Sequence, residues 1–217
     1  MSRILLIAEH DGSTLNPSTA KSIACAASIS GAEIDVAVFA SDGAAIAAEA
    51  AQLASVTKVL QVDNAANANT LAAVLAPQVA ALAAGYSHVF GPSTTFGKDL
   101  MPRVAALLGV NQISDVMETV DSHTFKRPIY AGNAILTVEA PADFPIVITV
   151  RTASYQEVDG GNNAAVEAVS VEAAIPDHTR FVELKAGFDQ SFDREAVPGS
   201  ENFVVACRRF PFRAGLE

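Results

Sequence analysis

The first residues whose types suggest chemistry are three consecutive ionisable side chains, Glu9, His10 and Asp11. They follow the apolar run Ile4–Ala8, so we expect them at the carboxyl end of a first strand, where open α/β sheets tend to bind ligands. A metal-binding or acid–base role is one interpretation. No second histidine or carboxylate cluster has a spacing that would complete such a site, so we interpret the three as solvated, turn-forming residues.

A second candidate is the segment from Gly91 to Gly97, which leads from a short predicted strand into a helix. Free backbone amides and the helix dipole at such a junction favour negative charge, so we predict an anion cradle there. The glycine spacings of the dinucleotide fingerprint and of the P-loop are both missing, and simple capping of the helix by the hydroxyls stays an alternative. The predicted cradle consists of Ser93, Thr94, Thr95, Gly97, Lys98 and Arg103.

The remaining polar residues form no catalytic constellation, and we predict that the chain is not an enzyme. No Gly-x-Ser-x-Gly elbow occurs, and neither cysteine is paired with a recognisable base. Cys25 lies in an apolar helical run, which predicts a buried thiol. The histidines are scattered along the sequence, at His10, His88, His123 and His178.

The first 110 residues show alternating strand and helix patterns, and the elements predicted by these patterns position the side chains described above. Such alternation predicts an open, mainly parallel, Rossmann-like sheet with helices on both faces, similar to that of adenine-nucleotide hydrolases. The predicted strands are Ile4–Ala8, Ile34–Ala40, Lys58–Val62 and His88–Phe90.

Helix signals fill the connections between these strands. Asn16 is a predicted N-cap with Pro17 at the first helical position, and Gly31 follows the helix end. A second helix is predicted from Ala44 to Ala54. The third is predicted to start at a cap on Asn69 or Thr70, to kink or break at Pro77 and to end before Gly85. The fourth is predicted to end at Gly109 and to place four apolar residues on one face, namely Leu100, Val104, Leu107 and Leu108.

Beyond Ile113 the amino-acid composition changes: Thr, Val and Ile become frequent, with Pro and Gly between them. We predict an antiparallel extension over residues 117 to 172, with its clearest strands at Ala134–Val138 and Ile146–Val150. The sequence Asp159–Asn163 predicts a hairpin turn. From Pro176 onward the apolar periodicity fades, which indicates a linker towards a second domain.

Composition excludes some function classes. The chain has 217 residues, of which 50% are hydrophobic, and its formal net charge is −10. An acidic chain with no basic stripe before its last dozen residues is unsuited to nucleic acid. The alanine-rich stretches are interrupted by polar residues, so we predict no membrane insertion. No signal peptide is visible, and we expect a cytoplasmic, bacterial protein.

Several motifs in fixed order are similar to those of electron transfer flavoprotein α subunits. The resemblance covers about residues 3 to 190. Its motifs are Ile7–Asp11 with Leu15–Thr19, then Phe96–Ala105 with Leu108–Val110 and Ile113–Val116, and finally Phe125–Ala134, which is the most specific.

The resemblance implies one subunit of a heterodimeric electron carrier that contains FAD. Its partners would be the β subunit, dehydrogenases as electron donors, and a quinone oxidoreductase or another acceptor. The first α domain would pack against the β subunit, and FAD would lie mainly on a second α domain.

The match to that second domain fails near the carboxyl end. Gly199, Ser200, Glu201 and Asn202 look like the remnant of an FAD-binding motif, but the strand and the glycine-arginine loop that should precede them are missing. We therefore expect a domain over residues 1–185, and a linker with an aberrant remnant of the FAD-binding domain over residues 186–217. The chain is then a fragment unable to hold FAD alone, and a frame change, testable on the coding DNA, would explain its Arg- and Phe-rich tail.

Two other functions stay open from the sequence. Similar α/β sheets bind adenine nucleotides at their carboxyl edge, so an independent nucleotide-binding module is one alternative. A purely structural subunit that docks to a β-type partner is the other. A shift in melting temperature with AMP or ATP would identify the first, because a ligand of the native state stabilises it.

Overall fold

A computed structural model describes residues 2–182 together with the short segments 184–186 and 203–205. The chain divides into two compact units, Met1–Ile175 and Pro176–Glu217. The second unit contains an antiparallel strand pair, Leu184–Ala186 with Phe203–Val205. The predicted motif remnant Gly199–Asn202 lies outside the described residues, and the predicted boundary at residue 185 stays a prediction.

The first unit is built on a seven-stranded sheet in which all neighbouring strands are parallel. The strand bounds are β1 Arg3–Ile7, β2 Glu33–Ala40, β3 Lys58–Asp63, β4 His88–Pro92, β5 Gln112–Val116, β9 Ile146–Val150 and β10 Ala165–Ala168. These strands lie in the order β10-β3-β2-β1-β4-β9-β5. This confirms the predicted open, parallel α/β architecture.

Two helices cover each face of this sheet, as predicted. Apolar residues of α1 (Pro17–Ala27) and α2 (Ala44–Ala51) pack on the face that carries Ile4, Leu6 and Val36. The opposite face, with Leu5 and Ile7, is covered by α3 (Ala72–Leu82) and α4 (Thr95–Leu108). Successive residues of a strand point to opposite faces, so these continuous apolar runs are the pattern of a sheet buried on both sides.

The helix ends follow local capping chemistry. Asn16 caps α1 by accepting a hydrogen bond from the Ser18 amide, and Pro17 occupies the first helical position, as predicted. Gly109 ends α4 with φ +70°, in the left-handed region that glycine adopts without strain.

The predicted start of α3 is wrong. A 3-10 helix, Ala65–Asn69, precedes it, Thr70 is left-handed, and α3 begins after Leu71, which provides no side-chain cap. Of the predicted kink or break at Pro77, the break is wrong, because the helix continues past this residue to Leu82, and the kink stays a prediction. The prediction that Leu107 lies on the apolar face of α4 is wrong as well: it is 54% exposed, since the sheet contacts the helix through Leu100 and Val104.

The first unit also contains a three-stranded antiparallel sheet, and we refer to this sheet together with its turn Tyr130–Gly132 as the arm. It contains β6 (Glu118–Thr119), β7 (Thr124–Ile129) and β8 (Ala134–Glu139), in that order. Phe125 of β7 is fully buried and joins the core, which anchors the arm to the main sheet. The predicted antiparallel extension is therefore present, and β8 matches the predicted strand Ala134–Val138.

Two other predictions for this region are wrong. Ile146–Val150 is no part of the antiparallel extension: it inserts as β9 between β4 and β5 and pairs in parallel with both. Asp159–Asn163 is not a hairpin turn, because the strand after it, β10, pairs in parallel with β3. Asn162 instead ties this segment to the turn between α2 and β3, where its side-chain amide donates to the Leu53 and Val56 carbonyls.

Candidate functional site

The strand order reverses between β1 and β4, and this switch point is where open α/β sheets usually bind ligands. Glu9 occupies it. Its Oε2 accepts hydrogen bonds from the Ser18 hydroxyl at 2.6 Å and from the Thr94 hydroxyl at 2.9 Å. These hydroxyls belong to the first turn of α1 and the N-cap of α4, so one internal carboxylate bridges two helix N-termini. The anion at this crevice is supplied by the protein itself.

Close packing of α4 against β4 fixes the geometry of this crevice. A Cβ on Gly97 would lie 1.7 Å from the Pro92 carbonyl oxygen, so only glycine fits at this position. The Gly97 amide donates to the Thr94 hydroxyl oxygen, which in turn donates its proton to Glu9. The loop predicted from Gly91 to Gly97 is correspondingly short: β4 extends to Pro92, and the helix begins at Thr95.

His10 and Asp11 form internal contacts beside Glu9. The His10 Nε2 lies 2.9 Å from the Phe39 carbonyl, and its Nδ1 accepts from the Gly12 amide at 3.1 Å. Asp11 accepts four hydrogen bonds from the amides and hydroxyls of Ser13 and Thr14. The amides are the larger cause of an Asp11 pKa far below its ordinary value. Both side chains therefore build the turn after β1.

An open cavity of about 700 Å³ lies on the other side of the β4 terminus. Its lining comes from the ends of β4, β5 and β9, from the first turn of α4 and from the end of β7. Three cationic side chains and one acidic side chain contribute to it: Lys98, Arg127, Arg151 and Asp115. The region therefore combines a positive charge with the carboxyl edge of the sheet.

A bulge in β5 contacts both arginines of this cavity. The pairing of β5 with β9 shifts register between Ile113 and Val116, and Asp115 within the bulge has φ +61°. Arg127 donates through Nη2 to the Ser114 hydroxyl at 2.8 Å. Arg151 lies with Nη1 3.6 Å from Asp115 Oδ2. The two bulged residues thus hold one guanidinium group each.

The predicted cradle residues are dispersed. Ser93 and Lys98 line the cavity, whereas Thr94 points its hydroxyl to Glu9 and Gly97 packs on the β4 backbone. Thr95 and Arg103 are exposed and contribute nothing to the cavity lining. Arg103 lies five positions after Lys98, which rotates its side chain by roughly 140° around the helix. An anion-binding role for this set stays a prediction.

The sequence analysis missed Asp115, Arg127 and Arg151 as site residues. Arg151 directly follows Ile146–Val150, a run that is apolar apart from Thr149 and has the pattern of a buried parallel strand. That signal places Arg151 at the carboxyl edge of the sheet. Arg127 comes from the arm, and no local pattern in the sequence predicts that its strand ends at this edge.

Two further titratable side chains, those of Cys25 and His88, are buried away from both the crevice and the cavity. Cys25 is fully buried, as predicted, and burial raises the pKa of its thiol. His88 at the start of β4 is also buried, with its Nε2 2.7 Å from the Ser122 carbonyl. Desolvation lowers the pKa of His88, so the ring is held neutral.

Within the described residues, no group of three or more His, Cys, Asp and Glu side chains is arranged to hold a metal ion. Over the same residues, none of the helices has the length and apolarity needed to cross a membrane.

Three large apolar side chains of the arm are exposed. Tyr130 is 79% exposed, Ile135 59% and Leu136 43%, although neighbouring residues of a strand point to opposite faces. Within the described part of the chain, β8 pairs only with β7, so its other edge is open. An open edge with apolar side chains on both faces favours association with another chain.

Comparisons with known proteins agree on one family. The model of the electron transfer flavoprotein domain matches residues 4–174. The electron transfer flavoprotein subunit alpha of Pseudomonas aeruginosa is 51% identical over 168 residues, which are 77% of this chain and 54% of that protein. The subunit alpha of Paracoccus denitrificans is 40% identical, with coverage of 78% and 54%. The mitochondrial subunit alpha of Dictyostelium discoideum is 37% identical, with coverage of 81% and 51%. The chain thus spans about half the length of the curated relatives it matches.

Proposed function

Since this chain belongs to the electron transfer flavoprotein domain family, we propose that it supplies the amino-terminal α/β part of an electron transfer flavoprotein α subunit. The observation on which this rests is the family match over residues 4–174, together with 51% identity to a relative named as that subunit. In this role the chain is part of an electron carrier with no catalytic group of its own, working in the bacterial cytoplasm. Dehydrogenases donate the electrons, and a quinone oxidoreductase or another acceptor receives them.

We propose that FAD is held outside the α/β unit. The glycine fingerprint of a dinucleotide site is missing from the sequence, and the carboxylate of Glu9 stands at the switch point where a diphosphate would bind. Two negative groups would repel each other there, so the crevice does not fit the diphosphate of FAD. The same argument disfavours an adenine-nucleotide-binding module at the switch point.

The test is to mix the purified chain with FAD, dialyse it and record the visible absorbance. We expect a colourless protein. Flavin retained at one equivalent per chain would overturn this part of the proposal, whatever the outcome for the partner subunit.

We propose that the arm docks to the β subunit. The arm offers the open edge of β8 and the exposed side chains of Tyr130, Ile135 and Leu136, whereas the main sheet is covered by helices on both faces. Burial of such side chains stabilises an interface by roughly 25 cal/mol per Å² of apolar surface, before the entropy of association is subtracted.

Co-expression with a tagged β subunit tests this docking. The wild-type chain should co-purify with the β subunit, and Ile135→Asp should abolish this, because a charge would be buried in an apolar contact. Leu107→Asp is the matched control: Leu107 is 54% exposed on α4 and Ile135 59% exposed on the arm. Equal retention of both variants would contradict docking through the arm, and failure of the wild-type chain to co-purify would contradict the subunit assignment.

A further inference from the structure

We propose that the cavity beside β4 binds the phosphate ester group of a small organic ligand. The proposal goes beyond electron transfer and concerns a site separate from the Glu9 crevice. The cavity volume of about 700 Å³ lies within the range of roughly 300–1,000 Å³ that is common for small-molecule sites.

Charge is the first argument. The lining contains Lys98, Arg127 and Arg151 against one acid, Asp115, which leaves a local net charge of +2. The whole chain carries −10, so this cavity is a positive region on an acidic protein. A dianionic group such as a phosphate ester is the complementary charge, and guanidinium groups match its oxygens through paired N–H donors.

Unused hydrogen-bonding capacity is the second argument. Among the described residues, the buried Oγ of Ser93 and the buried Nε of Arg127 have no hydrogen-bond partner, and both residues line the cavity. Buried polar atoms are rarely left unpaired in native proteins, because this costs about 1–3 kcal/mol each. Neither atom has accessible surface, so donation to a phosphate oxygen requires a side-chain rotation: the Ser93 hydroxyl can turn about χ1, whereas Arg127 is held by Ser114 and would bind through its terminal nitrogens.

Preorganisation is the third argument. Arg127 is fixed by the Ser114 hydroxyl and Arg151 is oriented by the Asp115 carboxylate, and both partners belong to the bulge of β5. A bulge in this position re-aims side chains towards the edge of the sheet. The Arg127 guanidinium is therefore held before any ligand arrives, which lowers the entropic cost of binding, and the Arg151 guanidinium lies beside it in a partly exposed ion pair.

Backbone strain is concentrated at the same place. Asp115, Tyr130 and Ala131 line the cavity with φ values of +61°, +50° and +55°. Non-glycine residues in the left-handed region are uncommon and cluster at functional sites. The organic part of the ligand then has apolar contacts available at Pro128, Ile129 and Ala153.

Calorimetric titration of the full 217-residue chain with ribose 5-phosphate tests the proposal. We expect saturable binding that weakens with added salt, inorganic phosphate binding more weakly, and no binding of ribose or acetate. Arg127→Gln and Lys98→Gln should each raise the Kd about tenfold or more. Arg103→Gln removes a charge from the same helix as Lys98 but lies outside the cavity lining, and it should leave the Kd unchanged.

Thermal melts separate lost binding from lost folding. Arg127 is half-buried, and if Arg127→Gln does not fold, the exposed Lys98 decides the outcome through Lys98→Gln. Absence of saturable binding by the wild-type chain overturns the proposal. It is equally overturned if acetate binds as tightly as ribose 5-phosphate, or if Arg103→Gln weakens binding as much as Lys98→Gln does.

Discussion

The crevice at Glu9 and the cavity beside it lie on either side of the β4 terminus, yet the charged side chains in them have opposite signs. In the crevice, the hydroxyls of Ser18 and Thr94 converge on a carboxylate of the same chain. In the cavity, three cationic side chains face a single acid. A helix N-terminus at a switch point therefore favours an anion. In the crevice this anion is a carboxylate of the chain itself, whereas a site without such a carboxylate is left for an anion from outside.

The largest expected effect comes from Gly97→Ala, because Gly97 sets the position of both regions. Its new methyl group would overlap the Pro92 carbonyl, and α4 would have to move away from β4. We expect a loss of about 3 kcal/mol in the free energy of unfolding, at the upper end of typical overpacking effects. Urea denaturation measures it.

Gly160→Ala is the matched control for this substitution. A Cβ on Gly160 would meet only the Gln52 carbonyl, at 4.0 Å. The stability of this variant should stay within about 0.5 kcal/mol of wild type. Similar losses in both variants would contradict the close packing of α4 on β4.

Glu9→Gln tests the crevice alone. The amide keeps the shape of the side chain but replaces the charge that accepts from Ser18 and Thr94. We expect a loss of about 2 kcal/mol, since hydrogen bonds to charged groups contribute about 1.5–3 kcal/mol. Glu157→Gln removes an exposed carboxylate 3.9 Å from Lys21 and should change the stability by less than about 1 kcal/mol. Equal effects of the two substitutions would mean that the crevice is no more than a solvated surface.

At the opposite end of β4 a third environment excludes charge, because a titratable side chain is buried there in its neutral form. The neutral ring of His88 is buried against the Ser122 carbonyl, and its pKa is lowered by desolvation. Since the unfolded chain then binds the proton more tightly, stability is complete above the ordinary histidine pKa of about 6.5 and decreases as the pH falls below it.

Melting temperatures between pH 7 and 5.5 measure this dependence on His88. The contribution of one group over this interval is at most about 1.3 kcal/mol. His88→Gln should reduce the change of melting temperature with pH. His178→Gln, which removes an exposed imidazole, should leave this pH dependence unchanged. An unchanged pH dependence in His88→Gln would contradict the assignment.

The smallest expected effect is that of Asn16→Ala, which removes the cap of α1 beside the crevice. The Asn16 side chain accepts from the Ser18 amide, and its backbone amide donates to the Glu9 carbonyl. We expect a loss of about 1 kcal/mol. Asn16→Asp keeps the acceptor and should retain most of the stability, so an equal loss in both variants would show that capping is not the cause.

The main sheet was largely predictable from the sequence because strands buried on both faces leave continuous apolar runs, such as Ile4–Ala8. The prediction failed for Ile146–Val150, where neighbouring Thr- and Val-rich segments suggested an antiparallel partner, although the run itself is apolar apart from Thr149. Parallel pairing depends on distant strands, and no local pattern encodes it. The helix caps at Asn16 and Gly109 were predictable because capping is local chemistry.

The candidate site was predictable only in part, for the same reason. Ser93 and Lys98 follow β4 directly and were found from the strand-to-helix junction. Arg127 and Arg151 reach the cavity through the arm and through β9, so their contribution depends on tertiary pairing. The bridging role of Glu9 also escaped prediction, because Thr94 lies 85 positions away along the chain.

The insertion of β9 between β4 and β5 has a consequence for the order of folding. Among the described residues of the main sheet β5 pairs only with β9, so Gln112–Val116 has no partner there until Ile146–Val150 has been synthesised. During translation the nascent sheet therefore presents the bare edge of β4 for more than fifty residues after that strand is complete. Long-range parallel pairing is slow, and exposed strand edges aggregate, so we expect chaperone dependence to rise when synthesis pauses within this interval.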